Sequence, residues 1–258
     1  MVGKFNTQSL LMEVFGTFAL LYFGGLVSLY GPGDLTSIAI AHALILFLII
    51  YIGGDISGGY FNPAVIIAFL VSKDNNIKVS LSYLAAELVG ALLAGVLLLA
   101  KGLPNKEGLG YPMPNPDSDL FTCFVYETLT TFLLVLSIFY NVKCGKPLPL
   151  AAAISSIVVL MSILCVGKIS GGSLNPLRSL GPSIIDGNVF FYGFWVYLTA
   201  PLLGGALGAL YYEFILRDNL DKIKTAKELE DENMCNSYNA FDEINQLSNQ
   251  KTKEIVDN

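Results

Sequence analysis

The chain has 258 residues, 53% of them hydrophobic and only 14% charged, with a mean hydropathy of +0.60, 25 glycines and a single histidine. Charged residues make up about a quarter of an ordinary soluble domain, so this composition excludes a water-soluble enzyme or nucleic-acid binder and points to a membrane protein. The net charge of −6 is unevenly placed: residues 218 to 258 hold ten acids and five lysines, a net of −5, whereas residues 1 to 217 carry only −1.

A spanning helix needs roughly 20 mostly apolar residues, so the gaps between charges predict the spans. The first apolar stretch starts near Leu10 with no basic leader or small-residue cleavage site and reads as a span rather than a signal. Residues 14 to 33 and 35 to 54 are uncharged runs separated by Asp34. The stretch 56 to 72 is shorter and rich in Gly, Ser and Pro near its start, which predicts a re-entrant segment, since irregular backbone at membrane depth survives only where protein or water covers it. Residues 79 to 100 form the third span, with Glu87 inside it. A proline- and glycine-rich connection, 101 to 119, divides the chain. Then come a span at 120 to 142 holding Glu127, one at 147 to 167, a second re-entrant stretch at 169 to 185 and a sixth span within 187 to 212.

Orientation follows the lysines and arginines of short loops. With the N-terminus (residues 1 to 8) inside, the inner side collects Lys4, Lys73, Lys78, Lys143, Lys146, Arg217, Lys222, Lys224 and Lys227. The outer side keeps Lys101 and Lys106, with Lys168 and Arg178 in the second re-entrant stretch. Both ends are thus expected to be cytoplasmic in a multi-pass protein, and residues 217 to 258 form an acidic, solvated or weakly helical tail whose partner is unknown. The sequence does not decide between a plasma membrane and an internal, vacuole-like one. Cys123, Cys144, Cys165 and Cys235 lie far apart, so neither a disulfide frame nor a metal site is expected.

The chain repeats itself. Residues 56 to 63, ISGGYFNP, match residues 169 to 176, ISGGSLNP, at six of eight positions with an offset of 113, and Glu13-x-x-x-Thr17-Phe18 recurs as Glu127-x-x-x-Thr131-Phe132 at an offset of 114. Three spans per half, an odd number, make the halves face opposite ways; such inverted repeats place a transport site near the midplane. Pro suits the first helical position and Asn is a strong N-cap, so each Asn-Pro is expected to start a half-helix inside the membrane. A capping Asn accepts with its oxygen and leaves amide donors free. Two such Asn with helix dipoles behind them would bind a lone pair and repel a cation.

Six spans with Asn62-Pro63-Ala64 and Asn175-Pro176-Leu177, followed by Arg178, closely resemble the aquaporin, or major intrinsic protein, family over about residues 9 to 216. The resemblance implies an all-α fold of six transmembrane helices plus two re-entrant half-helices in an inverted repeat, about 9 to 100 and 120 to 216, and a homotetramer with one pore per protomer. It implies that Glu13 and Glu127 are the buried acids holding the half-helix loops. Counting from the motifs, it places the selectivity filter at His42, Ile163, Gly172 and Arg178, a set similar to that of some plant tonoplast intrinsic proteins. The implied function is a passive channel for water and small neutral solutes, ammonia, urea and hydrogen peroxide among them, that excludes protons and ions. Nothing in the residues calls for a cofactor, a metal or nucleic acid. Ser179, where glycerol facilitators usually carry Asp, favours the water branch, and Leu177 in place of Ala is expected to shift Asn175 or narrow the lumen.

Plainer readings stand beside these. His42 as a satisfied core residue, Arg178 as the mate of a buried acid and Ile163 as simple packing are the alternatives residue by residue. Glu87, without a charged mate at Ala200 or Pro201, is expected near the lipid interface or at a protomer contact. Gly90, Gly95, Gly204 and Gly208 read as close-packing sites. Among whole functions, a glycerol or polyol facilitator is the near alternative. The distant ones are a structural adhesion protein and an intramembrane aspartyl protease, the latter disfavoured because Asp34, Asp55 and Asp186 all fall at span ends.

Overall fold

The computed structural model describes residues 3–100, 108–188, 191–222 and 234. In chain order the helices are α1 (Thr7–Tyr30), α2 (Leu35–Ser57), α3 (Pro63–Val71), α4 (Ile77–Ala100), α5 (Leu120–Lys143), α6 (Leu148–Ser170), α7 (Pro176–Ile185) and α8 (Phe194–Tyr211), the last followed by a π-helical turn, Tyr212–Leu216. No strand occurs among the described residues. Six helices are long and apolar enough to cross a membrane. At 1.5 Å per residue, α3 and α7 reach only about 14 Å, half of a hydrocarbon core about 30 Å thick. Part of the loop expected at 101 to 119, with Lys101 and Lys106, lies outside the described residues, as does most of the expected tail with Lys224, Lys227 and Cys235.

The charges that delimit the apolar runs cap the helices. Asp34 accepts from Ser37 N at 2.9 Å to start α2, and Asp119 accepts from Thr122 N at 2.9 Å to start α5. Two boundaries differ from expectation for local reasons. Asn6 accepts from Ser9 N at 2.8 Å, so α1 begins seven residues before the uncharged run does. Gly187 and Gly193, at φ 74° and 76°, break the backbone ahead of α8, which starts at Phe194 rather than 187. Lys168, expected in the second re-entrant stretch, belongs to the last turn of α6.

Residues 1–213 form one compact unit, in which the repeat is visible as packing. The pair α1 with α4 mirrors α5 with α8, and α2 meets α6 across the halves. Each half-helix is held mainly by the last long helix of the other half, α3 by α8 and α7 by α4. Glycines make the close approaches possible: a Cβ at Gly90 would run into the Val14 carbonyl and Thr17, and one at its mate Gly204 into the Thr128 carbonyl and Thr131. A second unit starts at Phe214; within it Arg217 Nε lies 3.9 Å from Asp221, an exposed pair one helical turn apart.

Candidate pore site

Both Asn-Pro motifs start half-helices. Asn62 Oδ1 accepts from Ala64 N at 2.9 Å and Asn175 Oδ1 from Leu177 N at 3.0 Å, with Pro63 and Pro176 at the first helical positions. The amide groups are partly committed. Asn62 Nδ2 donates to the Leu174 carbonyl at 2.9 Å and Asn175 Nδ2 to the Phe61 carbonyl at 2.8 Å. The loops are thereby cross-tied, and each amide keeps one N–H to offer. Leu177 shifts nothing here, because its cap distance matches that at Ala64, and its side chain packs in the apolar core rather than along the cavity described below.

The carbonyls of Phe61 and Leu174 reach their Asn partners because both residues adopt left-handed backbone, at φ 48° and 56°. Such strain persists only when the surroundings over-determine it. Here a buried carboxylate does so in each half. Glu13 accepts from Tyr60 N at 3.2 Å and Phe61 N at 2.8 Å; Glu127 accepts from Ser173 N at 2.8 Å, Leu174 N at 2.8 Å and Ser170 Oγ at 2.7 Å.

Glu87 corrects the sequence reading. It touches neither lipid interface nor protomer contact but is fully buried, accepting from Asn62 N at 2.7 Å. An ionisable group in the membrane interior needs such partners, and the repeat comparison missed this one because its mate position carries no acid. A second pair, Tyr83 and Tyr197, was legible as an offset of 114. Their hydroxyls donate to the Ser57 and Ser170 carbonyls, the last residues of α2 and α6.

A cavity runs past the crossed loops, lined by Leu20, Leu46, Leu134, Ile138 and Val159 and by Asn62, Asn175, His42 and Arg178. Among the described residues that line it there is no carboxylate. Arg178 donates through one guanidinium nitrogen to the carbonyls of Gly172 and Ser173, and its buried Nε has no partner. His42 Nδ1 pairs with the Ile38 carbonyl at 2.8 Å, so Nδ1 carries the proton and the neutral ring offers Nε2 as an acceptor. Gly24 makes room for that ring, since a Cβ there would fall on Nε2. Ile163 and Gly172 lie against each other beside Arg178, Gly172 at φ 59°, and neither side lines the cavity. A second cavity, bordered by Phe69, Val142 and Ala151, continues the passage away from Arg178 and shares Ile50, Gly59, Tyr60, Val65, Ile138 and Ser155 with the first.

The comparisons with known proteins agree with this fold. Over 215 residues the chain is 33% identical to nodulin-26 of Glycine max, which covers 81% of this chain and 78% of that one. It is 37% identical over 188 residues to aquaporin TIP2-1 of Zea mays, covering 70% and 72%. Among solved structures, the aquaglyceroporin from Plasmodium falciparum superimposes with a TM-score of 0.75 at 23% identity, over 83% of this chain and 98% of that one, and shares the fold. The family description "Major intrinsic protein" matches residues 3–212. With crossed Asn-Pro loops, six spanning helices and that match over most of its length, the chain belongs to the major intrinsic protein family.

Proposed function

We propose that the passage between the two loops is the conducting path of a passive channel for water and small neutral solutes, including ammonia, urea and hydrogen peroxide, closed to protons and ions. The observation that carries this reading is the shared cavity: Asn62, Asn175, His42 and Arg178 face it together, and the remaining walls are mostly apolar. At its centre a solute lone pair meets the free N–H of each Asn, backed by the positive ends of α3 and α7. A water held through its lone pairs turns its own donors outward, which interrupts a proton relay along the file. A cation meets those same dipoles and the Arg178 guanidinium, with no carboxylate along the cavity to offset them.

His42, Ile163, Gly172 and Arg178 are the proposed filter, with His42 and Arg178 facing the path, the Gly172 carbonyl holding Arg178 and Ile163 packed behind Gly172. Facilitation of glycerol or another polyol uses the same path; Ser179, whose hydroxyl is committed to Ser173 Oγ at 2.9 Å, supports the water branch. The reading also takes residues 9 to 216 as the channel, residues 217 to 258 as a cytoplasmic tail, both termini as cytoplasmic and four protomers per assembly. Stopped-flow swelling and shrinking of liposomes holding the purified protein, run in parallel for water, glycerol, urea and ammonia, tests it. Water and at least one neutral solute are expected to cross faster than in empty liposomes; equal rates for all four overturn the proposal.

A further inference from the structure

The offset of 113 that carries α2 onto α6 also relates the two ends of the passage. Taken through it, the filter positions His42, Ile163, Gly172 and Arg178 have the mates Ser155, Ile50, Gly59 and Val65. All four mates fall in the ring shared by the two cavities, on the side of the Asn pair away from Arg178. The repeat thus places a second set of four residues around the passage, in which a valine stands where the filter has its cation and a serine where it has its histidine.

Ser155 is 3% exposed and lines both cavities, and its hydroxyl has no hydrogen-bond partner among the described residues. Ser173, the other serine lining the first cavity, spends its hydroxyl on the Asn175 carbonyl. The ring's other donors are committed elsewhere: the Gly59 N–H to Ser57 Oγ, the Tyr60 N–H to Glu13 and the Tyr60 hydroxyl to Asn75. A water crossing the ring keeps hydrogen bonds to the waters before and after it. A larger solute fills the ring, loses those waters and is left with an unpaired acceptor unless the wall donates.

We propose that Ser155 is the donor of a second, uncharged selectivity station, which favours small neutral solutes carrying both donors and acceptors, the amides and polyols. The proposal rests on the solute-channel reading above and names the residue that extends it beyond water.

The test compares wild type with Ser155→Ala, Ser155→Thr and Val159→Ala in liposomes, measuring urea, glycerol and water permeability in each preparation. Ser155→Ala is expected to lower the urea-to-water and glycerol-to-water ratios about three- to tenfold, the weight of one hydrogen bond. Ser155→Thr keeps the hydroxyl and should restore them. Val159→Ala, one turn along α6, widens the path without touching a donor and should raise them. An unchanged or increased ratio in Ser155→Ala overturns the station and leaves the channel reading standing. A wild type that passes water but neither urea nor glycerol overturns the station in the same way, and a wild type that passes nothing overturns both.

Discussion

The two Asn-Pro loops have the same shape and different supports. Each has a left-handed residue before the Asn, a carboxylate bonded to two loop N–H groups and a tyrosine on the preceding helix end. The first loop adds Glu87, which holds the Asn62 N–H. The second has no such acid, but Arg178 binds its carbonyls from within the passage. An inverted repeat therefore supplies a common frame while each half solves its polar bookkeeping separately: a doubled acid away from the path in one, a single acid and a lumen-facing cation in the other. Only the second arrangement puts a charged side chain on the cavity wall.

The largest expected effect breaks the loop with one anchor. Glu127→Ala leaves two loop N–H groups and the Ser170 hydroxyl without their acceptor, and at about 1 kcal/mol or more for each buried orphan it should cost about 3 kcal/mol or more. Glu13→Ala should be milder, because Glu87 still tethers Asn62 beside it. Thermal unfolding in detergent reads the difference, and a Glu13→Ala protein at least as unstable as Glu127→Ala would refute the idea of a doubled anchor.

Next is Glu87 itself. A glutamine keeps an oxygen that can accept from Asn62 N. Glu87→Gln should retain stability and water permeability, whereas Glu87→Leu, which orphans the Asn62 N–H, should cost about 1 to 3 kcal/mol. Equal damage in both variants would show that the carboxyl is needed for more than this hydrogen bond.

Arg178→Val gives the second half the residue of its mate, Val65. With the cation gone from a low-dielectric passage, cation leak or entry of larger solutes should rise about tenfold or more. Liposome flux with a pH dye and with glycerol measures it, and unchanged selectivity removes Arg178 from the filter.

The smallest effect tests where the halves should agree. Asp34 and Asp119 cap the second and fifth helices in the same way. The hydroxyl and N–H of Ser37 hold the Asp34 carboxyl below the usual carboxylate range, and the N–H and hydroxyl of Thr122 do the same for Asp119. A lowered carboxylate contributes stability that is present above its unfolded value and is lost as pH falls through the folded one. Asp34→Ala and Asp119→Ala should thus each flatten the acid end of the stability profile slightly and by similar amounts. A marked difference between them would mean that one cap does more than start its helix.

Much of this was legible before any coordinates. The spans showed as uncharged runs because charges are costly in hydrocarbon, and the half-helices as Asn-Pro because that pair starts a helix. The pairing of Glu13 with Glu127 showed because both sit at one register of the repeat. Glu87 was misplaced because the comparison of halves weighs only what recurs, and its role arises where the halves differ. Gly24, which clears room for His42, carries no mark in the sequence; it is one glycine among 25. The mating of His42 with Ser155 was present as an offset of 113, yet a serine on an apolar helix acquires meaning only when its hydroxyl is seen to lack a protein partner.

The sequence by itself determined the number of crossings, the inverted repeat, the half-helix starts and the family, because each depends on local chemistry repeated along the chain. Tertiary structure alone decided which groups remain free to meet a solute. Hydrogen bonding is a matter of closure: Asn62 and Asn175 spend one N–H each across the halves, Glu87 is consumed in the loop frame, and Ser155 is left unspent on the passage wall. No local pattern records that outcome, since each partner is brought in from more than 20 residues away or, at Ser155, never arrives.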